Sequence, residues 1–414
     1  MSVLNPFRAF RPRAELAARV ASLPYDVISS DEARELARGD RLTFLHVCKP
    51  EIDLDPGIPL DDDRVYARGR ENLHRLITEG TLVRDAVPSL YVYQQRLGEH
   101  VQAGLVGLCS VREYEGGLIR KHERTRPDKE NDRTRHIADC AADAEPVFLA
   151  YRARPEIGRL VDAVRSRPPA HDFVAADGIG HTLWVVSQEA ERDAFTRAFA
   201  GVPCLYIADG HHRTAAAARH CRAMRARHPG ARGDEPYEFF MAVVFPHDQV
   251  RIVDYNRVVR DLNGLTAERF LARVGERFLI EPASDPRPAA PHRFGMYLDG
   301  SWRQLTARPG TYPEADPIRG LDVSILQENL LAPILGIADP CTDRRIDFVG
   351  GTRGTAGLEK RCAGGWAVAF ALHPTSLDDL MRVADAGGVM PPKSTWFEPK
   401  LRSGLTVHVF DATD

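Results

Sequence analysis

The stretch Cys204–Ala218, CLYIADGHHRTAAAA, decides the fold prediction for this chain. Its apolar first half is typical of a buried strand, and an alanine- and arginine-rich run without glycine or proline follows, which predicts a helix. Asp209-Gly210 stands between them, and glycine permits a tight turn that a ligand can approach closely. Predicted strands and helices also alternate in the sequence before and after this stretch, so we predict a mixed α/β (α+β) fold.

The Asp209-Gly210 turn is also the main candidate for chemistry. The first turn of a helix has unpaired N–H groups and the positive end of the dipole, which together suit a phosphate. An arginine here can grip a phosphate with two parallel bonds, and a carboxylate can hold Mg²⁺ or orient a hydroxyl. We predict Asp209 and His211 as catalytic, Asp209 also as a metal ligand, and as cofactor-binding residues Gly210, His212, Arg213 and Thr214. The alternative is an ordinary strand–turn–helix with solvated histidines.

A transition-metal site is another reading of the histidines. His212 and His220 share a helix face, but eight residues separate them by roughly 12 Å, which one zinc ion cannot bridge. A site that combines His211, His212 and a distant ligand stays open.

The charged run Arg120–Arg133, RKHERTRPDKENDR, follows a predicted strand and mixes carboxylates with bases. Such runs are usually solvated faces, but this one could surround a polyphosphate and a metal ion. It should then fold back onto the Gly210 turn. Glu123 or Glu130 could act as general base or metal ligand. We take Glu123 as the candidate base, with Glu130 and Asp26 behind it, and Glu130 as a candidate metal ligand. The predicted phosphate contacts of this run are Lys121, His122, Arg124, Lys129 and Arg133.

Two further segments carry weaker signals. The loop PPKSTWFEPK at 391–400 offers cations and hydroxyls to a phosphate, although the glycine frame of a Walker loop is absent. Its predicted cofactor-binding residues are Lys393, Ser394, Thr395 and Lys400. Tyr25 and Asp26, in LPYDVI, are candidates for substrate binding, with a structural role at a proline turn as the alternative.

Local patterns predict several other elements. Ser29 and Glu32 form a capping box before a short helix that stops at Gly39. Two strands, at 90–96 and 102–120, should be joined by a turn near Gly98. The run LDVSILQENLLAPIL, at 321–335, predicts a helix.

Composition excludes several classes of protein. A length of 414 residues predicts more than one domain, and we place them at 1–265, with the phosphate site, and 266–414. The formal net charge of -3 disfavours nucleic acid as a partner. Seven scattered cysteines argue against a disulfide framework. We find neither a signal peptide nor an apolar run long enough for a membrane helix, so the expectation is a cytoplasmic protein.

The motif ADGHHR, between a strand and an alanine-rich helix, resembles the signature of the ParB/sulfiredoxin-like superfamily. The two-histidine form is most similar to the free L-serine kinase branch of that superfamily. The resemblance implies a ParB/sulfiredoxin-like core with large N-terminal and C-terminal additions. It also implies that Asp209 lies beside the transferred phosphate or its Mg²⁺, and that residues 211–213 contact phosphate oxygens.

The whole chain also resembles a bacterial family of unknown function. The motifs that carry this resemblance are PYDVIS, KHERTRPDKENDR, YIADGHHR and PPKSTWFEPKLRSGL. It implies no activity of its own.

Together these features predict an enzyme: a Mg²⁺-dependent kinase that transfers a phosphoryl group from ATP or ADP to the hydroxyl of a small metabolite. Free L-serine is the best single substrate, and a homodimer is left open. Two alternatives remain, a nucleotide-binding regulatory or scaffold protein and a nucleotide hydrolase or phosphatase. The donor could equally be CTP.

Overall fold

The structure is a computed structural model that describes residues 3–283 and 285–410. The chain forms two compact units, one made of Met1–Val250 with Pro399–Asp414 and the other of Arg251–Glu398. The seven cysteines all lie in the described ranges and are free. Among the helices of those ranges, none is both long and apolar enough to cross a membrane.

The first unit is built on a mixed sheet. In spatial order its strands are Ile119–Arg120, Leu205–Asp209, Val147–Tyr151, Phe239–Pro246, His100–Ser110, Leu90–Leu97, Gly180–Val186 and His171–Val174, with Leu4–Asn5 beside His100–Ser110. Two small pairs, Phe10–Pro12 with Leu82–Arg84 and Ala142–Asp143 with His408–Val409, complete the described strands of this unit. Apolar side chains of the central strands, such as Leu105, Leu149 and Ile207, form its main core.

Helices flank this sheet. Their bounds are Ala17–Val20, Ser30–Ala37, Leu45–Cys48, Asp63–Thr78, Val111–Glu115, Pro127–Cys140, Pro155–Arg165, Glu189–Ala200 and His211–Arg227. Short 3₁₀ turns lie at Ala14–Leu16, Pro50–Asp53, Pro236–Glu238 and His247–Gln249. Helices Pro127–Cys140 and His211–Arg227 pack against each other.

One strand pairing positions the candidate site. Ile119–Arg120 runs parallel to Leu205–Asp209, with Leu205 opposite Ile119 and Tyr206 opposite Arg120. Two parallel neighbours end at the same edge of a sheet, so the residues that follow them emerge side by side. The charged run after Arg120 therefore lies beside the Gly210 turn, and this spatial prediction is confirmed.

The second unit has its own antiparallel sheet. Its strands, in spatial order, are Phe278–Pro282, Ser301–Ala307, Arg293–Leu298, Val368–Leu372, Tyr255–Val259 and Ile346–Gly350; Ile252–Val253 pairs with Trp396–Phe397. Its helices are Ala267–Arg277, Asp322–Leu326, Gly354–Ala363 and Leu377–Asp385, with a 3₁₀ turn at Gly351–Arg353. Phe270, Phe294 and Phe370 belong to its core.

The mixed α/β prediction is confirmed, as are the capping box at Ser29 and the hairpin turn at Gly98. The strand predicted over 102–120 is wrong in its second half, because Ser110 caps a short helix, Val111–Glu115, by accepting a hydrogen bond from Arg112 N–H. The helix predicted at 321–335 is α-helical only over Asp322–Leu326 and continues as a π-helix over Gln327–Leu331.

The division between the units lies earlier than residue 265, and the chain returns to the first unit after Glu398. The reason is strand pairing: Tyr255–Val259 pairs with Ile346–Gly350 and Val368–Leu372. At the other end of the chain, His408–Val409 pairs with Ala142–Asp143 of the first unit.

Candidate active site at the Gly210 turn

Gly210 connects the buried strand Leu205–Asp209 to the helix that begins at His211. Its φ of 100° is open to glycine but strained for other residues, and a Cβ here would lie 3.1 Å from Nε of Arg213. Gly210 occupies the N-cap position of this helix and has no side chain that could cap it. The N–H groups of its first turn are therefore the donors that a bound anion would use.

Asp209 and Lys400 form an ion pair at this turn. Nζ of Lys400 lies 3.0 Å from Oδ2 of Asp209, and the two side chains are 15% and 25% exposed. Burial alone would raise the pKa of Asp209, but the nearby Lys400 and Arg213 outweigh it and hold that pKa below its ordinary value. Asp209 is therefore ionised at neutral pH. Of the predicted 391–400 residues, Lys400 is the one that belongs to the first unit and reaches this turn.

Arg213 is buried behind the turn. Its guanidinium donates to the carbonyl of Pro146 and lies 3.8 Å from Asp209 and 3.9 Å from Asp26. Its Nε has no hydrogen-bond partner among the described residues. Arg213 is buried and already donates a hydrogen bond inside the protein, and the bidentate grip on a phosphate predicted for it remains a prediction.

His122, Glu123 and His211 form a cluster beside Asp209, hereafter the His–Glu–His cluster. The rings of His122 and His211 are nearly perpendicular with centroids 4.4 Å apart, and the backbone N–H of His122 donates to Nε2 of His211 over 3.4 Å. Oε2 of Glu123 lies 3.7 Å from Nδ1 of His211. Burial lowers the pKa of His122 to about 4 and, together with the adjacent His122, holds the pKa of His211 well below its ordinary value. Both imidazoles are neutral at pH 7.

His212 and Thr214 make contacts within the protein. Nε2 of His212 accepts a hydrogen bond of 3.1 Å from the N–H of Arg126, the residue before helix Pro127–Cys140. The Thr214 hydroxyl donates to the Gly210 carbonyl at 3.0 Å, inside the first turn of its own helix. These side chains shape the turn, whereas the ligand contacts predicted for them remain predictions.

A buried network that includes Arg133 and Tyr25 lies deeper in the first unit. Arg133 pairs with Asp132 at 2.9 Å and with Glu145 at 3.5 Å, and its guanidinium lies 4.1 Å from the centroid of the Tyr25 ring. The Tyr25 N–H donates to Glu145 at 3.0 Å. The Arg133 guanidinium is therefore engaged inside the protein, and the Tyr25 ring packs against it. We leave both residues out of the proposed site, and the ligand contacts predicted for them remain predictions. Asp26, with a side chain 36% exposed, remains at the edge of the proposed site.

Glu145 is the residue that sequence reasoning missed. Its side chain is almost completely buried, and it accepts hydrogen bonds from Tyr25, Arg133 and the Ser403 hydroxyl. Burial raises its pKa, although the nearby Arg133 and Arg213 oppose that shift. In the sequence, a single glutamate before the strand VFLAY does not indicate a buried hydrogen-bonded carboxylate, since the hydrogen-bond partners of Glu145 come from other segments of the chain.

The other predicted residues are exposed, contact other side chains or belong to the second unit. Lys121, Arg124 and Lys129 are exposed. Glu130 accepts a hydrogen bond from Thr125 at 3.2 Å and lies 3.9 Å from Arg219. The remaining predicted residues, Lys393, Ser394 and Thr395, belong to the second unit. There Ser394 is buried, and its hydroxyl donates to the Pro391 carbonyl.

The motifs of the first unit coincide with a known family. A family described as protein of unknown function (DUF1015) matches residues 4–324, which is more than half of the chain. The chain belongs to this family. The predicted whole-chain resemblance is thereby confirmed for PYDVIS, KHERTRPDKENDR and YIADGHHR, whereas PPKSTWFEPKLRSGL lies beyond the matched residues. No curated protein matches this member of the DUF1015 family.

Solved structures give distant matches to this DUF1015 chain. A free serine kinase variant in complex with AMP is 12% identical, with a TM-score of 0.37 over 73% of this chain and 92% of the kinase. SbnI with a C-terminal truncation, from Staphylococcus aureus, is 14% identical, with a TM-score of 0.38 over 75% and 90%. A conserved hypothetical protein from Pyrococcus furiosus is 12% identical, with a TM-score of 0.36 over 73% and 95%. Similarity at this level does not extend to activity.

Proposed function

We propose that this protein is a phosphotransferase that binds the phosphates of ATP or ADP at the Gly210 turn and phosphorylates a small hydroxylated metabolite, with free L-serine as the first substrate to test. The observation that carries the proposal is the ion pair of Lys400 with Asp209 at a helix N-terminus whose N-cap residue, Gly210, provides no side-chain cap. A cation beside free backbone N–H groups is the arrangement that neutralises phosphate oxygens.

Each residue near the turn has a separate task in this proposal. Bound nucleotide supplies the phosphoryl group. Lys400 and the N–H groups of residues 211–213 hold phosphate oxygens, and Asp209 keeps the Lys400 ammonium in place. Glu123, with a side chain 55% exposed, accepts the proton of the substrate hydroxyl. Phosphoryl transfer needs little more than such positioning and charge neutralisation.

Mg²⁺ fits the predicted ligands Asp209 and Glu130 poorly. The carboxylate of Asp209 is already balanced by Lys400 and Arg213, and Glu130 lies near Arg219. A hard dication prefers carboxylates without competing cations. We therefore derive no step through Mg²⁺ at these two residues. A cytoplasmic location and a homodimer stay predictions.

The test is a turnover screen. Purified protein is incubated with ATP, ADP or CTP, with and without pooled amino acids, and products are separated by mass spectrometry. We expect O-phospho-L-serine with at least one donor, and its loss in Lys400→Met. Nucleotide binding without any turnover would contradict this proposal and favour a nucleotide-binding regulatory or scaffold protein. Release of phosphate that does not depend on an acceptor would instead favour a nucleotide hydrolase or phosphatase.

A further inference from the structure

The His–Glu–His cluster has the composition of a transition-metal site. One nitrogen from each of His122 and His211 and one carboxylate oxygen of Glu123 lie within 4.8 Å of one another. In the described part of the chain, this is the one group of three or more His, Cys, Asp or Glu side chains that meets that condition. Two imidazoles and a carboxylate are ligands that zinc uses at sites with an open position.

His122 gives an independent sign that the cluster binds a ligand. Its side chain is 2% exposed, and its Nδ1 has no hydrogen-bond partner among the described residues. A buried polar atom without a partner is costly and calls for an explanation. The His122 ring also hydrogen-bonds to the backbone carbonyl of Ile207. A carbonyl that holds one ring nitrogen protonated leaves a lone pair on the other, as is usual for metal-ligating histidines.

His211 and Glu123 can complete the site with small movements. The contacts of the His211 ring to the backbone N–H of His122 and to the Glu123 carboxylate are long, at 3.4 and 3.7 Å, so neither fixes the ring strongly. Ligand atoms about 2.1 Å from one tetrahedral ion lie roughly 3.4 Å apart. Atoms within 4.8 Å of one another must therefore close by up to roughly 1.4 Å. Glu123, with a side chain 55% exposed, is the ligand on the solvent side of the cluster.

We infer that His122, Glu123 and His211 bind one divalent transition-metal ion, with zinc as the reference ion. His212, which sequence reasoning left as a ligand beside His211, instead accepts from the Arg126 N–H and does not belong to the cluster. Because Glu123 cannot hold an ion and accept a proton at once, an ion here would suppress the proposed transfer. The inference itself does not rest on that transfer.

The test uses the full chain after a chelator has removed bound metal ions, and nucleotide is left out. Calorimetry with Zn²⁺ and visible absorption with Co²⁺ should both show one saturable equivalent per chain. Glu123→Gln changes a half-exposed side chain, and His122→Gln keeps a donor for the Ile207 carbonyl while removing the nitrogen lone pair. Each should weaken Zn²⁺ binding by at least about tenfold, since even outer-shell changes cost 10- to 100-fold.

His228→Gln, at an exposed histidine, is the matched control and should bind Zn²⁺ as the unmodified chain does. Circular dichroism checks that each variant is folded. No saturable equivalent in the unmodified chain would overturn the inference. Unchanged affinity in folded Glu123→Gln would also overturn it, whether or not His122→Gln folds. Because nucleotide is omitted, either failure leaves the proposed phosphoryl transfer standing.

Discussion

Replacing Lys400 by methionine isolates the charge on which the proposed function depends. Methionine keeps most of the length of the side chain and removes the ammonium. The backbone at this position is held separately, because its carbonyl accepts a hydrogen bond of 2.8 Å from Gln95. The change should therefore affect Asp209 and any bound phosphate more than it affects the local chain path.

The stability cost follows from the burial of the pair. Exposed ion pairs contribute about 0–1 kcal/mol, and removing one partner of a buried pair costs about 3–5 kcal/mol. With side chains 15% and 25% exposed, and with Arg213 still 3.8 Å from Asp209, we expect a loss of about 1–3 kcal/mol in the free energy of unfolding. Loss of a charged hydrogen bond to phosphate should weaken nucleotide binding by about 10- to 150-fold.

Urea unfolding and calorimetry with ADP or ATP measure both effects. Lys360→Met, which removes the charge of an exposed lysine in the second unit, is the matched control. In the double variant with Asp209→Asn, the cost of losing Lys400 should shrink by at least about 1 kcal/mol, since its partner charge is gone. Additive stability changes, together with nucleotide affinity equal to that of the control, would refute this account of the pair.

Three further predictions concern the turn and the fold around it. Asp209→Asn should lower turnover by roughly 10²-fold with a smaller change in nucleotide affinity, because it no longer holds the Lys400 ammonium that stabilises charge on the phosphoryl group during transfer. A near-normal kcat would exclude Asp209 from the mechanism. Gly210→Ala should lower the free energy of unfolding by roughly 2–4 kcal/mol, because the new Cβ would contact Arg213 and the residue has a positive φ. Gly98→Ala is the control: Gly98 also has a positive φ, but a Cβ there would have nothing within 4 Å, so the cost should be about 1–2 kcal/mol. Equal costs would show that contact with Arg213 is unimportant. Burial lowers the pKa of His136 to about 4 and that of His181 to about 3. As the pH falls below about 6.5, these histidines are protonated in the unfolded chain before they are protonated in the folded one, so the free energy of unfolding should fall by roughly 2 kcal/mol per histidine by pH 5. Urea midpoints that do not change between pH 7 and 5 would contradict this.

Much of the fold could be predicted because local chemistry dictates it. The helix after Gly210 follows from a glycine turn and an alanine-rich run, and the Ser29 capping box from two side chains three residues apart. The convergence of the charged run on the turn could be predicted from its mixed charges. The parallel pairing of Ile119–Arg120 with Leu205–Asp209 explains it physically.

What could not be predicted depends on burial and on long-range partners. The same charged run supplies an exposed Lys129 and a buried Arg133, and a helix begins at Pro127, inside the run. Arg213, which the motif predicts to bind phosphate, also lies near Asp26 and donates to the Pro146 carbonyl. These two contacts join residues far apart in sequence, and no local pattern encodes them.

A crystal structure of the protein with bound ADP would show directly whether the Gly210 turn binds nucleotide phosphate. We expect phosphate oxygens within hydrogen-bond distance, about 2.7–3.2 Å, of backbone N–H groups in residues 211–213 and of the Lys400 ammonium. Phosphates bound elsewhere, with the Asp209–Lys400 pair intact and no anion at the turn, would contradict this expectation.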